Sequence, residues 1–247
     1  MTADMASESG TDGGITTREY RCRPDGVVFD CDGLLLDTES RWTISERSVV
    51  EAWGGVWRES LKQRLLGRAL PDAASLIAEE VGASADAAPE IAMALDEGFS
   101  AAISAHGCVA MPGAAELARA LWRAGMPIAL ASNTRRAHVE LALQVAGLAE
   151  VFEVIVSAGD AFDGGLLPPK PAPDVYLHAC VLLQVDPAKA LALEDSPTGV
   201  QAARSAGLRV IGVPSLDEHV LEADVVIPSL GVLSLDEATR ELSWQRL

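Results

Sequence analysis

From residue 111 onward the chain alternates between short runs that are mostly apolar and longer segments whose apolar residues recur every three or four positions. A run that is apolar on both sides cannot be the half-wet strand of an antiparallel sheet; it needs cover on both faces, as in a parallel sheet flanked by helices. The runs over 127–131, 154–157, 190–193, 209–213 and 224–227 are therefore predicted strands, and 112–124, 136–146, 173–183 and 198–206 predicted helices. With an earlier run at 27–29, this alternation predicts an α/β protein with a doubly wound parallel sheet. Ligands of such sheets bind beyond the carboxyl ends of the strands. The polar residues that directly follow the apolar runs are thus the first place to look for chemistry.

Four polar constellations stand there. After Val27-Val28-Phe29 comes Asp30-Cys31-Asp32-Gly33, continued by Asp37-Thr38-Glu39. Residues i and i+2 share one side of an extended chain, so Asp30 and Asp32 leave the strand end toward one crevice. Two like charges held that close call for a divalent cation, a shared proton, or a division into nucleophile and acid/base. An ordinary Asp-Gly turn would account for the shorter pattern, but not for the longer string. Ser132-Asn133-Thr134 follows the second run. Its hydroxyl and the N–H groups of the next helix suit a phosphate oxygen, although taken alone the triplet reads first as a helix N-cap. Pro168-Pro169-Lys170-Pro171-Ala172-Pro173 fixes the backbone around one lysine, which reads as charge compensation or as a solvated loop cation. Glu194-Asp195-Ser196-Pro197-Thr198-Gly199 again carries two acids at a strand end, of which an acidic N-cap explains only one.

Between the first and second constellations, 38–53, 58–66, 71–81 and 87–105 have helical spacing and are separated by Gly54-Gly55, Gly67 and Gly82. The expected organisation is a tail at 1–24, a core from 25–39 and 110–247, and an all-helical insert at 40–109. Formal net charge is −17, so nucleic acid and anionic membrane are excluded as partners, and a phosphate-bearing ligand must be drawn in by local cations. No apolar run approaches the roughly 20 residues that span a bilayer, and the start lacks the apolar stretch of a signal peptide. Four cysteines without zinc-site spacing read as free thiols in a reducing, cytoplasmic setting. A monomer or weak homodimer is expected.

The order Asp-x-Asp-Gly-x-x-x-Asp-Thr-Glu, Ser-Asn, Lys-Pro-x-Pro-Asp and Glu-Asp-Ser-x-x-Gly resembles the haloacid dehalogenase superfamily over about residues 25–230. The helical insert resembles the cap of its phosphoglycolate phosphatase and β-phosphoglucomutase-like branch. The resemblance implies a Rossmann-like core, Mg²⁺ as cofactor and a small phosphorylated metabolite as partner. It assigns Asp30 as nucleophile and Asp32 as acid/base. Ser132, the Asn133 backbone and Lys170 would bind the phosphoryl oxygens. The metal would lie on the Asp30 side chain, the Asp32 carbonyl, Glu194 and Asp195. The chain departs from the family at Pro169, where glycine is more usual, and a stiffer loop is expected. Dehalogenases of the superfamily lack the second aspartate and the metal, which turns the reading toward phosphoryl transfer. Related mutases carry a histidine a few residues after the Asp-Thr pair; Asp37-Thr38-Glu39-Ser40-Arg41-Trp42 has none, so water is the expected acceptor. The expected function is a phosphatase for a sugar phosphate or phosphoglycolate-like ester. A β-phosphoglucomutase-type phosphotransferase and a catalytically idle binding protein are the alternatives. For specificity the insert offers Arg41, Arg64 and, foremost, Trp42 and Arg68, the last following the Gly67 turn. Exposed arginines also simply solvate a helical face. Hinges are expected near Ser40 and 107–112.

Overall fold

The computed structural model describes the backbone of residues 6–12 and 15–18 and, in full, residues 19–65, 68, 70–215 and 220–245. Two compact units emerge, one built from the chain up to Leu36 and from Val109 on, the other from Asp37–Cys108.

The first unit begins with β1 (Ala6–Asp12), β2 (Ile15–Cys22) and β3 (Gly26–Phe29). The second carries α1 (Glu39–Ala52), α2 (Glu59–Leu65), α3 (Leu70–Glu80) and α4 (Ala88–His106). The first then resumes with α5 (Ala114–Arg123), β4 (Ile128–Ser132), α6 (Arg136–Val145), β5 (Val154–Ser157), the small hairpin β6 (Ala161–Phe162) and β7 (Gly165–Leu166), and α7 (Asp174–Leu183). It closes with β8 (Ala190–Glu194), α8 (Pro197–Ser205), β9 (Arg209–Gly212), β10 (Val225–Val226), β11 (Ser234–Asp236) and β12 (Glu241–Gln245).

Six strands form a parallel sheet in the order β10-β9-β8-β3-β4-β5. The apolar run of β3 lies at its centre: Val27, Val28 and Phe29 have no exposed surface. Each such side chain contributes about 1.5–3 kcal/mol by leaving water. Phe29 also meets Phe152 edge-on at 5.5 Å. Tyr176 and Cys180 of α7 and Val200 and Ala203 of α8 close over Val28, Ala129 and Ala192. From β3 the chain runs outward through β4 and β5, then returns to the other side of β3 as β8. That reversal opens a crevice at the carboxyl ends of β3, β4 and β8.

The expected tail at 1–24 is corrected in part. Ile15–Cys22 is a strand of a separate antiparallel sheet, β1-β2-β12-β11, with Leu242 opposite Cys22 and Trp244 opposite Tyr20. Tyr20 and Trp244 stack at 5.9 Å, and Leu242 and Trp244 are buried. The strand's partner lies at the far end of the chain, so a local reading had only the Ser/Thr/Gly/Asp composition to go on. Residues 1–5 lie outside the described residues.

In the helical unit, Val50, Ala74, Ile77, Ile91 and Leu95 make the fully or almost fully buried centre. Ser45 Oγ on α1 donates to the Leu95 carbonyl of α4 at 2.8 Å. The unit begins at Asp37, three residues before the expected boundary, because Asp37–Glu39 bond within it. Asp37 accepts from the Ser40 N–H at 3.1 Å and caps α1, while Glu39 pairs with Lys62. Arg41 Nε donates to the Gly107 carbonyl at 2.7 Å and ties the unit's two ends together. Among the described residues no helix is long and apolar enough to cross a membrane.

Candidate active site

Asp30 is the first residue past β3, and its N–H still donates to the Leu193 carbonyl of β8 at 2.9 Å. The chain then turns sharply, with the Leu35 and Leu36 N–H groups both donating to the Cys31 carbonyl. Gly33 sits in this turn at φ +85, and a Cβ there would lie 2.5 Å from Asp195 Oδ2. Only glycine allows both the backbone conformation and the approach to that carboxylate. Ser132 ends β4, Glu194 ends β8 and Asp195 follows it. All four constellations thus converge at the reversal of strand order.

Lys170 is the centre of the network. Its ammonium, almost wholly buried, donates to Asp30 Oδ1 at 2.5 Å, to the Ala131 carbonyl at 2.9 Å and to Glu194 Oε1 at 2.7 Å. An ammonium has three protons, and each has an acceptor here. The loop that carries it is clamped by Asn133, whose Oδ1 accepts from the Lys170 N–H at 2.7 Å and whose Nδ2 donates to the Lys170 carbonyl at 3.3 Å. Glu194, with no exposed surface, also accepts from the Tyr176 hydroxyl at 2.6 Å on Oε1. Its Oε2 accepts from the Asp195 and Ser196 N–H groups and the Ser196 hydroxyl. To make these contacts the side chain folds back over the start of α8, where a Cβ on Gly199 would overlap Glu194 Oε1 at 1.8 Å. The glycine of that motif is space for the glutamate.

Asp32, half-buried, accepts from Ser132 Oγ at 2.7 Å, and Ser132 Oγ accepts from the Thr134 N–H at 2.8 Å. Ser132 Oγ thus closes a local turn ahead of α6, whose N-cap position is Arg135, so the expected helix N-cap is corrected: the hydroxyl bonds Thr134 and Asp32 instead. Burial, followed by the charges of Glu194, Asp195 and Asp32, raises the Asp30 carboxyl well above the ordinary aspartate range, against the pull of Lys170. Burial and Glu194 push Asp195 up to about 7, against a hydrogen bond from Ser215 and the Lys170 charge. For Lys170 burial works the other way, but Asp30 and Glu194 overcome it and keep the ammonium charged.

Asp30, Glu194 and Asp195 each present an oxygen within 4.8 Å of the others. Three buried carboxylates facing one ammonium leave surplus negative charge, and an all-oxygen donor set suits a hard divalent cation. The residues present therefore fit the expected metal. Asp30 and Asp195 have the better claim as direct ligands, because Glu194 already accepts five hydrogen bonds.

Trp42 and Arg68 belong to the helical unit. The Trp42 ring stacks on Phe99 at 4.0 Å, so one of its faces is committed to packing. Arg68 is exposed and donates through Nε to the Arg64 carbonyl at 2.5 Å; Gly67 lies outside the described residues. Tyr176 escaped the sequence reading. The one signal was its place six residues after Lys170 as one of only two tyrosines in the chain.

Comparison with known proteins agrees with this geometry. The model of the haloacid dehalogenase-like hydrolases matches residues 24–207, well over half of the chain. The (DL)-glycerol-3-phosphatase 1 of Arabidopsis thaliana, a mitochondrial protein, is 36% identical over 83% of this chain and 70% of its own length. The phosphorylated carbohydrates phosphatase of Thermotoga maritima is 32% identical over 76% of this chain and 85% of its own. A CbbY variant from Rhodobacter sphaeroides, solved with xylulose-(1,5)bisphosphate, superposes with a TM-score of 0.73 at 28% identity, covering 88% of this chain and 99% of that one. With the motifs converging at the strand ends and relatives of this kind, the chain belongs to the haloacid dehalogenase-like hydrolases and is an enzyme of their phosphoric monoester hydrolase kind.

Proposed function

We propose that the protein is a Mg²⁺-dependent phosphatase that hydrolyses a small phosphomonoester, a sugar phosphate or phosphoglycolate-like metabolite, through an aspartyl-phosphate on Asp30. The observation that carries this reading is the buried Asp30 carboxylate, held by Lys170 and ringed by Glu194 and Asp195 at the mouth of the sheet. Glycerol-3-phosphatase and phosphorylated carbohydrates phosphatase among the relatives support the ester class.

In the proposed reaction an Asp30 oxygen attacks phosphorus while the bond from phosphorus to the ester oxygen breaks. Asp32, in its carboxylic acid form, gives its proton to the departing alkoxide. Water then attacks the phosphoryl group, the Asp32 carboxylate takes a proton from it, and the bond to Asp30 breaks to release inorganic phosphate. Lys170 orients Asp30 and offsets its charge. Ser132 and the backbone at Asn133 serve the phosphoryl oxygens, and Asn133 also fixes the Lys170 loop. Mg²⁺, held by Asp30, Asp195 and the Asp32 carbonyl within the field of Glu194, would neutralise charge on the transferring group. The helical unit would supply specificity, with Arg68 the freer candidate and Trp42 placed by packing. Four buried free thiols support a reducing, cytoplasmic setting, and the protein would act as a monomer or weak homodimer.

Hydrolysis of an aryl phosphate tests the reading. Chelation should abolish it and Mg²⁺ restore it, and Asp30→Asn should lower turnover by on the order of 10⁴-fold with the fold retained. Full activity of that variant, or activity in excess chelator, would sink the mechanism. The phosphotransferase alternative draws on a solved relative described as a β-phosphoglucomutase, 28% identical to this chain. With β-glucose 1-phosphate and a trace of the 1,6-bisphosphate, release of inorganic phosphate is expected; accumulation of glucose 6-phosphate without release would favour the mutase.

A further inference from the structure

Tyr176 lies outside the four motifs, in the first turn of α7, with its ring packed into the apolar core among Val28, Ala129, Ala131 and Ala192. For that packing a phenylalanine would serve. The hydroxyl is the part that needs an explanation, since burying one without a partner is costly. It reaches Glu194 Oε1 at 2.6 Å, the same oxygen that accepts from Lys170 at 2.7 Å. The ring meanwhile lies under the Lys170 ammonium, 4.9 Å from Nζ to the centroid, within the range of a cation–π contact. One side chain therefore touches both the lysine and the carboxylate that compete for each other.

The position of that ammonium decides how Asp30 is held. Lys170 shares its three protons among Asp30, the Ala131 carbonyl and Glu194. A Glu194 oxygen relieved of the phenol would have a lone pair free and would draw the ammonium toward itself, away from Asp30. With the phenol bonded to it, the carboxylate is saturated and fixed. We propose that Tyr176 is a positioning residue for the phosphoryl transfer proposed above: its hydroxyl saturates Glu194 and its ring backs Lys170, so that the ammonium stays on Asp30. This inference rests on the phosphatase reading and adds a residue to it.

The test is the steady-state hydrolysis of an aryl phosphate by the full chain, with Mg²⁺ binding measured by calorimetry and the folded fraction by thermal denaturation. Tyr176→Phe should lower kcat about tenfold per folded molecule, because the nucleophile is less well held, with KM and Mg²⁺ affinity within about twofold of the parent. Replacing Tyr176 by 4-aminophenylalanine, which keeps the ring and a donor at the same place, should bring kcat back to within about threefold of the parent. That arm also covers a Phe variant that folds poorly. A Phe variant with parental kcat per folded molecule, whatever its melting temperature, overturns the inference, as does a loss expressed in KM or in Mg²⁺ affinity. So does a donor-bearing replacement that restores nothing. No hydrolysis by the parent itself would instead overturn the phosphatase reading, and this inference with it.

Discussion

Each of the two units buries a lysine between two carboxylates, and the surroundings of the two lysines differ. Lys170 in the α/β unit lies between Asp30 and Glu194, and Lys62 in the helical unit lies between Glu39 and Glu46. Both lysines are almost wholly buried. Around Lys62 the account closes, since one partner, Glu39, is half in solvent and the other, Glu46, is 2.9 Å away and buried. Around Lys170 it does not: Asp195 adds a third buried acid, and the acids raise one another. A buried lysine is therefore no sign of a site. The sign is the residual charge its partners leave, and where the backbone puts it. Lys62 joins helices, whereas Lys170 sits where three strand ends open.

Replacing each lysine by methionine tests that contrast. Lys170→Met should lower kcat for an aryl phosphate by on the order of 10³-fold, since Asp30 loses its counter-charge. Lys62→Met should instead cost about 3–5 kcal/mol of stability in denaturant titration, because it strands Glu46 in the interior. Its folded fraction should turn over at nearly the parental rate. If the two variants exchanged phenotypes, the distinction between a chemical and a structural lysine would be lost.

Asp195→Asn sharpens the comparison from the acid side. It removes a charged ligand from the open site and should weaken Mg²⁺ binding by on the order of 10²-fold in calorimetry. Glu39→Gln, the formal equivalent in the helical unit, should leave Mg²⁺ affinity where it was.

The smallest effect concerns pH. Burial raises the Glu46 carboxyl above its ordinary 4.5, although Lys62 pulls it down. A carboxyl that holds its proton more tightly folded than unfolded stabilises fully below that ordinary value, and the contribution is lost as pH rises through the folded one. Glu46→Gln imitates the protonated form. It should match the parent below about pH 4.5 and be the more stable of the two at pH 8 in urea titrations. A variant less stable than the parent at pH 8 would mean that Lys62 outweighs burial, and the two lysine sites would be closer in kind.

Much of the α/β unit was legible because its signals are local. Each apolar run became a strand of the parallel sheet, and at its centre the residue after the run reached the crevice, as with Asp30 after β3 and Asp195 after β8. The string from Asp30 to Glu39 reads as one motif yet divides between the units. Asp30 and Asp32 face the strand ends, while Asp37 caps α1 and Glu39 holds Lys62. Nothing in the string announces that division, because a cap and an ion pair depend on what stands opposite. The sheet joining Ile15–Cys22 to Glu241–Gln245 was hidden for the same reason.

By itself the sequence determined the sheet and the residue types at its strand ends, since an apolar run that tolerates no water on either face has few ways to fold. It thereby also settled which carboxylates, hydroxyl and lysine would be gathered. Only the tertiary structure decided how their bonds are shared. Asn133 clamps the Lys170 loop, Ser132 holds Asp32, and Tyr176 closes the last open position on Glu194. Hydrogen bonds act over about 3 Å and with direction, and positions a hundred residues apart, such as Asp32 and Ser132, come within that reach only when the sheet has formed.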